Sequence, residues 1–173
     1  GSRNNLMQKL LMQKDRKIQY INSDLSYKLL HNLRNENNKF CFDHDAWCFK
    51  ENAFDLIISN FYLHWSNNLE FVMQNIINSL KNNGFFICSL PGPNTMIELR
   101  KSMFHSDIEC YNGTYQRFIN LPSIGSLNTL FSKVGFKIPL IQVDNLTFNY
   151  RNFNDLLKEI KLLPCALYIA SLI

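Results

Sequence analysis

The chain has 173 residues, a formal net charge of +4, 46 % hydrophobic residues and 13 % aromatics. That length suits one domain with a real core, the apolar content excludes a disordered chain, and no run of about 18 apolar residues predicts a membrane span. The six glycines (Gly1, Gly84, Gly92, Gly113, Gly125 and Gly135) never take GxG spacing, so this chain holds neither a Walker loop nor a GxGxxG nucleotide loop.

Leu6 to Lys14 has apolar residues at helical spacing: Leu6, Met7, Leu10 and Leu11. Lys17 to Asn22 reads as a short strand ending at Ser23-Asp24. Leu25 to Arg34 reads as a helix with Leu29, Leu30 and Leu33 on one face, capped by Asp24 or Ser26. Lys39 to Phe42 is a second short strand running into the turn Asp43-His44-Asp45. Phe54 to Asn60 is the clearest strand, and its continuous apolar middle predicts burial on both faces, as in a parallel sheet.

Asn68 to Lys81 is the clearest helix, with Leu69, Val72, Met73, Ile76, Ile77 and Leu80 as its stripe. Asn82-Asn83-Gly84 is expected to stop it, with Gly84 in a left-handed cap. Phe85 to Leu90 follows as a buried strand, ended by Pro91-Gly92-Pro93. Thr95 to Met103 reads as a short helix capped by Asn94 or Thr95, and residues 105–121 as an irregular lid or insertion. Ser123 to Val134 is a helix with Gly135 as its C-cap. Lys137 to Tyr150 reads as a long strand, or as a hairpin broken at Asp144-Asn145. Asn154 to Leu163 is a helix stopped by Pro164, and Cys165 to Ile173 is an apolar end too short to cross a bilayer.

From the first strand on, the order is β-α-β-β-α-β-α-α-β-α. Such alternation predicts an α/β fold with a parallel sheet, in one domain without internal repeats. Gly1-Ser2 reads as an expression-tag remnant.

The basic residues are scattered, which argues against a nucleic-acid stripe. The clusters of Asn, with frequent Lys, Ile and Phe, fit an AT-rich genome rather than a chemistry. The five cysteines form no CxxC and no zinc pattern, and read as reduced structural thiols of an intracellular protein. No metal site is expected.

Ligands of open parallel sheets bind beyond the carboxyl ends of the strands. The residues there are Ser23-Asp24, Asp43-His44-Asp45, Ser59-Asn60 with Leu63-His64-Trp65, and Pro91-Gly92. An acid after a strand suits a sugar diol, because one carboxylate can accept two hydroxyl hydrogen bonds. Trp65 could stack on a flat ring. Plainer roles stand beside these. Asp24 serves equally as a helix cap, Asp43 and Asp45 as turn residues, and His64 and Trp65 as closure of the strand top. No Ser/His/Asp triad is legible, so the pattern favours binding over acid–base chemistry.

The run from Phe49 to Asn60 (FKENAFDLIISN), followed by Leu63-His64-Trp65, Asn67 and Leu69, resembles the fourth-strand region of class I S-adenosylmethionine-dependent methyltransferases. Gly84 to Leu90 is similar to the family's fifth strand. Thr95 to Arg100 (TMIELR), Ser126 to Phe136, Val143-Asp144 and Asn149-Tyr150 resemble one subgroup. That subgroup holds the biotin-synthesis malonyl-carrier-protein O-methyltransferase and a mitochondrial complex I assembly factor with a methyltransferase fold. The resemblance runs from about residue 17 to 161, and the Glu-Leu-Arg and Asn-Tyr features lean toward the assembly-factor branch.

The resemblance implies a Rossmann-like sheet and S-adenosylmethionine as cofactor of the intact protein. It implies Asp24 as the ribose acid, and Asp43 with the His44 backbone near adenine. Ser59 and Asn60 would line the cofactor's amino-acid end, and His64 and Trp65 the substrate opening. The implied acceptor is a carboxylate or a protein, either an acyl carrier protein or a respiratory complex I subunit, in mitochondria or cytoplasm. A non-methylating assembly or scaffold role on the same fold is the alternative, since the assembly-factor branch modifies an arginine of a complex I subunit.

The family's first strand and GxGxG loop lie about twenty residues before the ribose acid, which here means residue 4. The sequence therefore reads as lacking that strand and loop, and the family's last lid segment and strand past Lys161. Such a chain is expected to be inactive by itself, and to be marginal or to complete its sheet through a partner chain, as in a homo-oligomer.

Overall fold

The computed structural model describes residues 6–14, 17–32 and 38–162. They form two compact units, the first ending at Cys88 and the second beginning at Ser89. In chain order the elements are α1 (Leu6–Lys14), β1 (Asn22–Asp24), α2 (Tyr27–His31), β2 (Lys39–Cys41) and β3 (Phe54–Asn60). A 3-10 turn (Leu63–Trp65) leads to α3 (Leu69–Ser79), β4 (Leu80–Ser89), α4 (Ile97–Tyr111), α5 (Ile124–Val134) and α6 (Phe153–Leu162). Among the described residues the strands form two pairs: β1 with β2, which run parallel, and β3 with β4.

In the first unit, β1 begins at Asn22 rather than Lys17. Asn22 pairs with Lys39, Ser23 with Phe40 and Asp24 with Cys41, and among the described residues the ladder begins at the first of these pairs. Helix α2 follows at once, capped by Ser26, whose hydroxyl accepts the Leu29 N–H at 3.4 Å. Asp24 does not cap it but accepts the Ser26 N–H at 2.9 Å.

Helix α3 starts where the sequence predicts, with the Asn68 side chain accepting the Phe71 N–H at 3.0 Å. Its stripe supplies the core of this unit: Val72, Met73 and Ile76 are almost wholly buried, with Leu63 and Leu80 nearby in the chain also buried. The helix ends earlier than expected, at Ser79. The last carbonyls, of Asn78 and Ser79, accept the N–H groups of Asn52 and Ala53 at 3.0 and 2.9 Å, so they need no further helical turn or glycine cap. The chain passes straight into β4, and the left-handed residue is Asn83, with φ 65°, not Gly84. Gly84 serves close approach instead. A Cβ there would lie 3.0 Å from the Lys81 carbonyl oxygen and 3.2 Å from that of Phe54.

Strand β3 has the predicted bounds, but burial on both faces is not found: Asp55, Leu56 and Asn60 are exposed and only Ser59 is fully buried. A two-stranded pair leaves part of each face uncovered. Phe42, Trp47, Phe49 and Phe54 fill the space before β3 with edge-to-face contacts of 5.0–5.8 Å between ring centres. Trp47 also donates its indole N–H to Ser79 Oγ at 2.9 Å, which satisfies a hydroxyl at the buried end of α3.

In the second unit, α4 is longer than predicted and takes up the first part of the supposed 105–121 lid. No apolar stripe announces residues 104–111. A buried Asp107 anchors them, accepting the Arg117 guanidinium, with Nη2 to Oδ1 at 2.6 Å, and the Tyr115 N–H at 3.2 Å. Residues 112–123 remain irregular. Ile160 of α6 packs with Met96, Leu99, Met103, Phe118 and Leu156. Helix α5 runs as predicted from the Ser123 cap to Gly135, whose φ of 102° only glycine adopts readily.

Residues 137–150 are neither strand nor hairpin. The alternating apolar residues are exposed there, Ile138 at 91 % and Leu140 at 93 %. An extended segment becomes a strand only by pairing, and among the described residues this one pairs with none. The tag remnant, Pro164 and Cys165–Ile173 lie outside the described residues.

Candidate functional site

Strands β1 and β3 end in residues of the predicted set, and the loop after β2 carries others. Asp24 closes β1, is buried, and has Oδ1 engaged by the Ser26 N–H. The loop after β2 carries Asp43, which is half exposed and accepts the Asp45 N–H at 3.0 Å, the expected turn role. His44 next to it is buried. Its Nδ1 lies 3.9 Å from Asp43 and its Nε2 3.7 Å from Asp45, and neither nitrogen makes a hydrogen bond. Burial pushes the imidazole below its usual range, although both carboxylates pull the other way. Ser59, next to last in β3, is buried with its hydroxyl unpartnered, and Asn60 at the strand's end is exposed.

His64 and Trp65 sit in the 3-10 turn after β3, with ring centres 5.1 Å apart. His64 is buried, both ring nitrogens lack a hydrogen bond, and burial lowers its pKa to about 4. It is therefore neutral at neutral pH. The buried unpartnered side-chain atoms found among the described residues belong to His44, Ser59 and His64, at or just beyond the ends of β2 and β3. Buried polar groups ordinarily find partners, so these atoms keep hydrogen-bonding capacity that a polar ligand could use. Asp24 adds a buried carboxylate at the end of β1.

Two residues that do more than the sequence reading assigned them tie these ends together. Tyr62 sets its ring edge-on against His44 at 4.8 Å. Burial raises its phenol to about 12, with the Asp24 and Asp43 carboxylates adding to the rise and the Leu25 backbone opposing it. Tyr62 is thus among the strand ends β1 and β2 although it follows β3. Asp45, read as a turn residue, reaches forward: it accepts the Ser66 hydroxyl at 2.6 Å and the Asn67 backbone and side-chain N–H groups at 3.0 and 2.9 Å. No local pattern reveals either, because their partners lie roughly twenty to forty residues away in sequence.

Asp43, His44 and Asp45 place one ligand atom each within 4.8 Å of one another. The two imidazole nitrogens face different carboxylates, however, and both Asp45 oxygens are already engaged. The trio fits a hydrogen-bonded loop better than a closed metal site. Pro91-Gly92 belongs to the second unit.

A family model described as "Methyltransferase domain" matches residues 1–140. Arginine-hydroxylase NDUFAF5, mitochondrial, of Dictyostelium discoideum is 32 % identical over 65 % of this chain, which spans 26 % of that protein. The putative methyltransferase RP459 of Rickettsia prowazekii is 30 % identical over 88 % of this chain and 67 % of its own length. The chain thus spans well under two thirds of the first of these relatives. A solved SAM-dependent methyltransferase from Archaeoglobus fulgidus shares the fold, with TM-score 0.53, 15 % identity and coverage of 90 % of this chain and 74 % of that one.

Proposed function

Since this chain belongs to the methyltransferase-domain family and has the Rossmann-like fold of class I methyltransferases, we propose that the protein transfers a methyl group from S-adenosylmethionine to a carboxylate or protein acceptor. The observation that carries this reading is the set of buried, unpartnered polar atoms of His44, Ser59 and His64 at the strand ends, beside the buried carboxylate of Asp24. Asp24 would accept the ribose hydroxyls. Asp43, with the His44 backbone, would lie near adenine. Ser59 and Asn60 would serve the amino-acid end, and His64 and Trp65 the acceptor opening.

When bound, the sulfonium cofactor supplies an activated methyl group. The chain's residues then have to hold two reactants in line and keep water away, which by itself can lower a barrier by about 7–11 kcal/mol. A neutral, buried His64 suits that role, since it adds no charge beside a sulfonium. The resemblance to the malonyl-carrier-protein methyltransferase supports an acyl carrier protein as acceptor. The similarity to a relative named a mitochondrial arginine hydroxylase supports a mitochondrial setting and is compatible with the second reading, a non-methylating assembly role with a respiratory complex I subunit as partner.

Calorimetry of the full-length protein with S-adenosylmethionine tests the reading. Binding in the micromolar range that weakens at least tenfold in Asp24→Ala is expected. Absence of binding would overturn the methyltransferase reading. Affinity capture from cells then separates the acceptors: acyl carrier protein without respiratory subunits argues against the assembly role.

A further inference from the structure

We propose that Asp45 is a positioning residue that fastens the His64–Trp65 turn to the loop carrying Asp43 and His44. The turn after β3 is short. Phe61 at its start has φ 46°, and the turn is a single 3-10 segment closed by the Trp65 N–H on the Tyr62 carbonyl at 3.2 Å and the Ser66 N–H on the Leu63 carbonyl at 3.1 Å. A segment so short does not fix its own direction.

Asp45 does so from outside. One carboxylate oxygen takes the Ser66 hydroxyl at 2.6 Å, and the other takes both N–H groups of Asn67. The network continues into α3: the Ser66 hydroxyl oxygen accepts the Asn68 N–H at 3.1 Å, and Asn68 caps the helix through Phe71. One carboxylate thus connects the loop after β2, the turn after β3 and the first turn of α3. Hydrogen bonds to an ionised acceptor are short and strong, and these also hold the Asp45 carboxyl below its usual range against the opposing effect of burial.

Asp45 is therefore set apart from its neighbour Asp43. Asp43 binds within its own loop, through the Asp45 N–H. Asp45 binds across to another element, and it is the element that holds the two residues read as the acceptor side. Through it, the residues read as cofactor-holding keep a fixed distance from those read as acceptor-facing. That last step rests on the methyltransferase reading, whereas the clamp itself does not.

The test uses the full-length protein with two readouts: the His64 titration followed by NMR, and calorimetric binding of S-adenosylmethionine. In Asp45→Ala the His64 midpoint should rise from about 4 toward 6.5 as the turn opens to water. Cofactor affinity should fall about tenfold. Asp45→Asn, which keeps the size and one acceptor oxygen, should restore part of both. Ser66→Ala with Asn67→Ala removes both side-chain contacts from the other side, leaves only the Asn67 backbone N–H on Asp45, and should reproduce part of the shift, which covers the case in which Asp45→Ala does not fold. Asp55→Asn, which removes an exposed carboxylate paired with Lys81, should move neither readout.

An unmoved His64 midpoint in both the Asp45 and the Ser66/Asn67 variants overturns the clamp. A moved midpoint with unchanged cofactor affinity overturns the positioning role. Wild-type protein that fails to bind S-adenosylmethionine overturns the methyltransferase reading, and the His64 midpoint still decides the clamp.

Discussion

A histidine held in the interior without hydrogen-bond partners resists protonation, and His64 is such a residue. Its pKa is about 6.5 when the chain is unfolded and about 4 in the fold. Between those values the unfolded chain takes up a proton that the folded one refuses, so stability rises with pH across the window. The contribution is complete above about 6.5 and is lost as pH falls toward 4. His44 acts in the same direction. Urea midpoints at pH 7, 5.5 and 4.5 should fall with pH, and His64→Gln should flatten that slope. A His64→Gln protein with the wild-type slope would assign the pH dependence to other groups. Asp45 behaves differently: its carboxyl lies below the usual range, so its contribution persists to lower pH and is lost only as pH falls through that folded value. At this scale the sequence named the residues after each strand, because strand-end position is a local property. It did not reveal the tasks of Tyr62 and Asp45, because a turn residue and a forward-reaching clamp have the same local pattern.

The helices with local start and stop signals are the legible elements. Asn68 before an apolar stripe and Ser123 before another mark α3 and α5, and both side chains make the capping bond. Asn68→Ala should destabilise the protein by about 0.5–2 kcal/mol in urea unfolding. Gly84 offers a second check at this scale. A methyl group there would meet two backbone carbonyl oxygens, whereas one at Gly92 would meet nothing within 4 Å. Gly84→Ala should therefore lower the urea midpoint clearly and Gly92→Ala hardly at all. Equal effects would mean that the close approach of β3 and β4 does not depend on glycine. The sequence suggested a cap at Gly84 because Asn-Asn-Gly is a common helix stop. The helix ended earlier, since the Asn52 and Ala53 N–H groups claimed its last carbonyls.

Over the whole molecule, each of the two compact units has its own apolar centre: Val72, Met73 and Ile76 in the first, and Ile160 with its five neighbours in the second. Met73 is wholly buried, and its replacement by alanine leaves a cavity that backbone so close to a packed helix fills only partly. Met73→Ala should cost about 2–5 kcal/mol in chemical denaturation, while Met12→Ala, on the exposed side of α1, should cost little. Similar losses at both positions would show that α3 does not form the centre of its unit.

The amino-acid sequence by itself determined the family, the helices α3 and α5, the bounds of β3 and the order of candidate residues along the strand ends. Each of these rests on spacing, caps or motifs that lie within a few residues of one another. Only the tertiary structure decided where β1 begins, why residues 104–111 are helical, and that the strand-like run 137–150 pairs with no strand among the described residues and is mostly exposed. It also brought Asp45 to Ser66 and Asn67, and Tyr62 to His44. The physical reason is common to all of them. A ladder needs an opposite strand, and a buried polar group needs a partner. Both are supplied by residues that distance along the chain does not reveal.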